Sequence, residues 1–511
     1  MKKAIAALPL LTLLVLAGCS NESSQTPSSQ APSSQTPSSQ TPSSQKPSTS
    51  APTEYEPVIT EDTTVTIWTT IGQANRAPFD AALERLAELE PKLHVNNVYQ
   101  SAGYDELRNM VVQGFAANNY PDLVYCYPDH VADYIDAGKA VNLDPYINNP
   151  TYGLTEEDKA DYIEAFMAEG QEYSVEGTYS LPYSKSTEAM YYNRALLNNL
   201  DLSGIDPSIN KGNPLNDAYF RNLTWDELFN KLCPALITYN DGLPADEKLL
   251  DFNANENVGI FGYDSDDNLF ITLAQQYGYG YTGIDASGRG EILFNNDGMK
   301  ELLTDFNSWA RKRYIVSQGT TGSYTSNLFT AQQCLFSVSS TAGVGYLYNE
   351  STTPDVGVAP IPQAGGDHAK AQISQGPSFA VLDHGNDNQK LGAWIAYKFL
   401  TTPETCIEWS ISTGYMGIRD SFYESEQYAA ASDTAEAGEG TEEMLNARNW
   451  EYYLTVTDNV FTSPVFKGSA TVRDVVGGLM TQALNKANDF SDKATLDSFF
   501  NDAENQAKNA L

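Results

Sequence analysis

One thiol directly follows two small residues at the end of an apolar run, Leu16-Ala17-Gly18-Cys19. Lys2 and Lys3 precede that run, and Ala4 to Leu16 is too short to span a bilayer stably. The arrangement predicts a secretory signal over 1–19 that ends in a lipobox. The Cys19 thiol would accept diacylglycerol before cleavage, and the lipid would hold the mature chain at a membrane face. The other four cysteines, Cys126, Cys233, Cys334 and Cys406, form no C-x-x-C and have no partner histidine at zinc spacing. They read as buried free thiols, with a disulfide outside the cell left open.

Catalytic constellations are scarce. The chain has no G-x-S-x-G and no H-E-x-x-H, and His94, His130, His368 and His384 are scattered. Glycoside hydrolysis needs only two placed carboxylates, and 66 acidic residues leave it open. A literal G-x-G-x-x-G runs from Gly278 to Gly283, but it follows a helical pattern, the reverse of the strand-loop-helix order that dinucleotide binding needs. Asp264, Asp266, Asp267 and Asn268 could surround calcium, yet the glycine and distal glutamate of an EF-hand loop are missing. That tetrad predicts a solvated turn, and neither metal nor cofactor is expected.

The elements that must position any site can be read from periodicity. Of the 511 residues, roughly 450 remain after the signal and tether, room for two or three domains. From 20 to 60 the chain repeats P-S-S-Q variants with almost no aliphatic residues, so it cannot offset its chain entropy. A coil of that length spans roughly 35 Å. Alternation in VTIWTT, helical spacing of Phe79, Ala82, Leu83 and Leu86, the run HVNNVY, a helix from Tyr104 to Ala117 and a short strand to Cys126 predict a sheet covered by helices. The loops Thr69 to Asn75 and Tyr127 to His130 then lie side by side at a switch point, where open α/β folds bind ligands. Thr224 predicts a helix N-cap with Glu227 completing a capping box. Further helices are expected over 390–400, 403–413 and 472–511, and a surface loop over 428–443. A net charge of −36 argues against nucleic acid, which needs clustered Lys and Arg. Tyrosines (31) outnumber phenylalanines (20), offering flat faces with hydroxyls suited to sugar rings.

Several stretches, read in order, resemble the extracellular solute-binding proteins of ABC transporters, the family of maltose-type and multiple-sugar binding proteins. They are VTIWTT, SAGYDELRNMVVQGFAANNYPDLVYCYPDHVADYIDAGKAVNLDPYI, SLPYSKSTEAMYYNRALL, LTWDELFNKL, FSVSSTAGVGYL, VGVAPIPQ, QGPSFAVL and AWIAYKFLTTPETCIEWSISTGYMGIRDS. Together they cover about Thr63 to Ser421. Tyr397 replaces a common Phe, Gly417 stands where the family often has Pro, and extra residues fall near 198–211 and 428–450.

The resemblance implies an α/β fold of two lobes joined by hinge strands, a type II periplasmic-binding-protein-like clamshell, with no catalysis. Lobe 1 would comprise 61–169 and 373–425, and lobe 2 would comprise 170–372 and 426–511 with the C-terminal helices. The expected ligand is a carbohydrate, an oligosaccharide for choice, delivered to the permease subunits by a monomer lipid-anchored on the outer face of a bacterial membrane. A sugar cleft needs flat apolar faces and many hydrogen-bonding groups. On that basis the first lobe would contribute Trp68, Thr70, Gln73, Tyr127 and Asp129. The second would contribute Tyr183, Ser184, Glu188, Tyr324, Ser340 and Thr341, with Tyr415 and Arg419 closing the site near the hinge. Competing readings are lobe packing for Trp68 and Tyr183, a surface role for Asp129 and Glu188, and helix capping for Ser184, Ser340 and Thr341. A glycerol phosphodiester, a polyamine or an anionic sugar in the same fold, a lipid-anchored glycosidase, and a surface adhesin are the alternatives.

Overall fold

Small and branched residues alternate in Thr63–Thr69, and the buried set Thr63, Val65, Ile67 and Thr69 makes this stretch β1, a strand with one face fully in the core. The computed structural model describes residues 55–436 and 441–511. Cys19, the expected signal at 1–19 and the tether as far as residue 54 lie outside the described residues. After β1 come β2 (Leu93–Tyr99), β3 (Leu123–Cys126), β4 (Leu181–Pro182), β5 (Ser186–Asn193) and β6 (Phe261–Tyr263). A hairpin of β7 (Thr282–Ile284) and β8 (Gly290–Ile292) precedes β9 (Ile315–Ser317), β10 (Phe336–Ser340) and β11 (Val356–Ala359). The last strands are β12 (Gln372–Gln375), β13 (Ser378–Val381) and β14 (Val460–Phe461).

Two larger sheets result. The first has the order β2-β1-β3-β13-β4, with β1 parallel to β2 and β3, and with β13 antiparallel to β3 and β4. Parallel neighbours need crossovers, supplied by the helices Arg76–Leu89 and Tyr104–Ala117. Phe79 from the first of these meets the rings of Tyr99, Tyr183, Phe379 and Trp409. Truncating such a buried ring to alanine costs about 3–5 kcal/mol. The second sheet has the order β14-β12-β5-β10-β6-β9, and β11 also pairs with β5. Its central helix, Asp266–Tyr277, is buried on nearly every side, lies against the helix Ser469–Leu484, and ends on Gly278 at φ +70°.

Two of the three crossings between the sheets are short, from β4 to β5 through Tyr183–Lys185 and from β12 to β13 through Gly376 and Pro377, while the third, from β13 to β14, runs through the segment that carries the helices from Asp387–Leu400 to Glu442–Leu454. Sheet membership therefore differs from the boundaries expected at 169/170 and 372/373. β4 stays with the first sheet, and β12 still belongs to the second. The two short crossings lie against each other, with Ser184 N donating to Pro377 O at 3.0 Å. At Gly376 (φ +91°) a Cβ would sit 2.0 Å from the Ser184 carbonyl oxygen, so only glycine fits.

Three local expectations are corrected. The stretch 428–443, expected as a loop, is helical in its described parts, with helices Glu426–Glu436 and Glu442–Leu454. Tyr428 and Ala431 within this stretch pack against the core, and Met444 and Leu445 just after it are buried. The helical stretch expected over 472–511 is broken at 485–492, between the helices Ser469–Leu484 and Lys493–Ala510. Thr224 does cap its helix, accepting from Glu227 N at 3.1 Å. Glu227 does not reciprocate, because its carboxylate accepts from Tyr219 Oη at 3.2 Å and faces Lys231 at 3.5 Å.

Candidate functional site

The groove between the sheets is floored by the hinge. Lys185 and Glu169 form a buried ion pair there, their side chains 1% and 5% exposed. Lys185 Nζ also donates to Gly376 O at 3.0 Å, and Ser374 Oγ donates to the other Glu169 oxygen. Three residues on from Lys185, in β5, the Glu188 side chain is held by three donors: Tyr263 Oη, Asn268 Nδ2 at 2.8 Å and Gln375 Nε2 at 3.2 Å. Burial raises its carboxyl from 4.5 to about 7, against the opposing pull of the Tyr263 and Asn268 hydrogen bonds.

Each lobe supplies one wall. From the first, Tyr127 and Asp129 project where β3 runs into the helix Pro128–Asp136, and Tyr127 meets Tyr104 edge-on at 4.9 Å. From the second come Tyr281, Gln375 and Arg473. Arg473 Nε pairs with Asp267 Oδ2 at 2.5 Å, and Nη2 donates to Asn268 Oδ1. Burial would lower this guanidinium, but Asp267 and then Asp129 more than reverse it and hold it above its ordinary value. The lobes touch beside this wall, where Lys467 pairs with Asp136 at 2.8 Å and Gly468 N donates to Asp133 at 3.4 Å. The space between these walls is about 60 Å³. A neighbouring recess of about 430 Å³ is lined by Asp105 from the first lobe and Asp266, Asp267 and Asp474 from the second. Burial, then Asp105, pushes Asp474 up to about 6.

The residues expected at the site divide into two groups. Tyr127 and Asp129 line the cleft, Glu188 stands behind its floor, and Tyr415 lies near Tyr127 with its ring stacked on Trp409 at 6.0 Å. Ser184 is at the hinge and fully buried. Thr70 lies beside Tyr104. Tyr324 is 55% exposed, two residues from the acidic recess.

The remainder take structural positions. Trp68 packs on the cluster of Leu107, Val124 and Tyr134 in the first lobe. Gln73 is exposed and accepts from Arg76 at 2.9 Å. Tyr183 is 2% exposed inside the aromatic core, away from the groove. Ser340 Oγ donates to Ser186 Oγ at 3.3 Å, and Thr341 Oγ1 accepts from Thr187 N at 3.1 Å, so both join β10 to β5. Arg419, expected near the hinge, is instead 1% exposed in the first lobe. It donates to Thr401 O at 2.6 Å and Asp161 at 3.0 Å, and it lies 3.9 Å from the centre of the Tyr162 ring.

Sequence reasoning missed Tyr104, Tyr281, Gln375 and Arg473. It also misplaced the tetrad at 264–268, which is no solvated turn. Asp264 accepts from Thr325 N at 2.5 Å and Asp266 from Ser317 Oγ at 2.7 Å, while Asp267 and Asn268 hold Arg473. The only signal was the density of short polar side chains just before an apolar helix, which marks an N-terminus able to order a neighbouring wall. The four cysteines Cys126, Cys233, Cys334 and Cys406 are free and buried.

Comparison with known proteins agrees with this architecture. A relative from Brucella abortus (strain 2308) that carries the name of a binding protein is 25% identical over 408 residues, 76% of this chain and 85% of its own. UgpB from Mycobacterium tuberculosis, solved with glycerophosphocholine, superposes with a TM-score of 0.65 at 18% identity, covering 88% of this chain and 98% of its own. The maltose-bound MalE3 of T. maritima gives 0.61 at 16% identity, covering 88% and 100%. The GacH receptor of Streptomyces glaucescens gives 0.61 at 16%, covering 88% and 99%. These likenesses establish the two-lobed α/β fold. The sequence profile of the bacterial extracellular solute-binding proteins matches residues 82–436, more than half of the chain, and the chain belongs to that family.

Proposed function

We propose that this protein captures a carbohydrate, an oligosaccharide for choice, in the groove between its lobes and delivers it unaltered to the permease of an ABC transporter. The proposal includes a lipid on Cys19 that holds the chain at the outer face of the membrane. The observation that carries it is the wall chemistry. Tyr127 and Tyr281 face the groove with Tyr104 and Tyr415 behind, while Asp129, Gln375 and Arg473 supply hydrogen-bonding groups between them. Flat apolar faces interleaved with acceptors and donors suit the two chemistries of a sugar ring. The 60 Å³ between the walls is far below the ~300 Å³ of small-molecule sites, so admission of a ligand requires the lobes to part about residues 183–185 and 376–377. A solute that contacts both walls then stabilises the shut form over the open one, and that difference in affinity is the signal a permease can read.

A second reading, a glycerol phosphodiester, is favoured by one residue, Arg473. Its donors are already engaged by Asp267 and Asn268, and Asp129 adjoins it, so an anion would meet a guanidinium already neutralised by carboxylates. A neutral polyhydroxylated ligand suits that environment better. The test is a thermal-shift screen of the full chain against linear and branched oligosaccharides, glycerophosphocholine and spermidine, with product analysis for glycan cleavage. A saturable rise in melting temperature with an intact oligosaccharide is expected. A rise with the phosphodiester or amine alone, or release of reducing ends, overturns the reading.

A further inference from the structure

A cavity of about 780 Å³ opens on the second lobe, away from the groove. It lies at the β11 edge of the second sheet. The strand exposes Gly357 and Val358 there, the helix Glu442–Leu454 forms one side, and the chain segments 221–224 and 360–370 form the other. Its charge runs against that of the protein. In a chain of net charge −36, four cationic side chains, Arg194, Arg221, Lys370 and Arg448, line this cavity against two carboxylates, Asp217 and Glu451.

The pairing leaves cationic capacity unspent. Asp217 takes Arg194 at 2.8 Å and also accepts from Tyr192 Oη at 2.7 Å. Asp355, just outside the cavity, is shared between Arg194 at 3.6 Å and Arg448 at 3.3 Å. Among the described residues, neither Arg221 nor Lys370 has a carboxylate at ion-pair distance. Guanidinium and ammonium groups converging on one concavity focus attraction on a compact anion, and a phosphate group uses several such donors at once. The volume falls within the ~300–1,000 Å³ of small-molecule sites, more than a bare ion fills, so the anion should carry an organic body.

We infer that this cavity is a second binding site, separate from the groove, for a small organic phosphate. Calorimetric titration of the full chain with glycerol 3-phosphate tests it, with phosphatidylglycerol vesicles as a second arm to separate a free phosphate from a lipid headgroup. Saturable binding that weakens with added salt is expected. It should fall at least tenfold in the double variant Arg221→Ala/Lys370→Ala and persist in the groove variant Arg473→Ala. Both altered side chains are exposed, so the melting temperature should hold. Should it fall, Lys370→Glu alone serves as the second variant with the same expected loss. The inference is overturned by absence of binding at millimolar ligand, by undiminished affinity in both cavity variants, by loss in Arg473→Ala, or by binding to vesicles only. Because a thermal shift reads the whole chain, the screen is repeated with Arg221→Ala/Lys370→Ala: a rise with glycerophosphocholine that is lost there belongs to this cavity and one that survives belongs to the groove, so failure of either reading leaves the other standing.

Discussion

Glu188 links the fold to pH in a way that can be worked through quantitatively. It is 1% exposed, and its carboxyl is raised from 4.5 to about 7, chiefly by burial. A carboxyl raised in the folded state binds its proton there more tightly than in the unfolded chain. Its contribution to stability is therefore complete below about pH 4.5 and is lost as pH climbs through about 7. The difference of about two and a half pH units, at ~1.36 kcal/mol each, makes the loss about 3 kcal/mol by pH 8. Glu188→Gln removes the titration and keeps the shape. The amide oxygen can accept from Asn268, and its nitrogen can donate to a Tyr263 hydroxyl turned to accept. Other acids shift too, Asp474 among them, so the useful quantity is the variant-minus-parent difference in unfolding free energy. Urea melts from about pH 4 to 8 should show that difference growing by about 3 kcal/mol in favour of Glu188→Gln. A flat difference, or a variant less stable at pH 8, would refute the reasoning. It would mean that Arg473 and the three donors hold the ionised carboxylate well enough to cancel the cost of burial.

Four further outcomes are expected. Lys185→Met strands the buried Glu169 carboxylate and should cost about 3–5 kcal/mol in urea melts, with most of it regained in Lys185→Met/Glu169→Met; a double variant no better than the single would contradict the pairing. Tyr127→Ala and Tyr281→Ala should each weaken the oligosaccharide about tenfold by calorimetry. Arg419→Met should lower the melting temperature and leave affinity unchanged, since its partners all lie within the first lobe. The four described cysteines should resist an aromatic disulfide reagent at pH 8 until the chain is unfolded, because burial raises each thiol, Cys406 to about 12; prompt reaction of the native protein would contradict their placement.

Much of the frame was legible because periodicity is local. β1, the helix Tyr104–Ala117 and β3 come from alternation and 3.6-residue spacing that no distant partner has to supply. The site was less legible, because its chemistry depends on which residues burial removes from solvent. Tyr183 and Tyr127 look alike in sequence, yet the first fills a ring cluster with Phe79 and Trp409 while the second faces the groove. Arg419 and Arg473 invert in the same way. The family resemblance favoured Arg419, but Asp161 and Thr401 consume it, and Arg473 reaches the groove from a C-terminal helix that carried no local mark of function. The tetrad at 264–268 was polar enough to read as solvated. Its partners, Thr325, Ser317 and Arg473, lie too far along the chain to be foreseen.

The proposed capture of a carbohydrate requires two lobes that move about residues 183–185 and 376–377 to enclose it. Dyes placed on exposed residues of each lobe, away from the groove, report the distance between lobes by energy transfer while the oligosaccharide found in the screen is titrated. The distance should shorten saturably, with the same midpoint as binding by calorimetry. Binding at an unchanged distance, or a chain whose lobes never part in the absence of sugar, would contradict it.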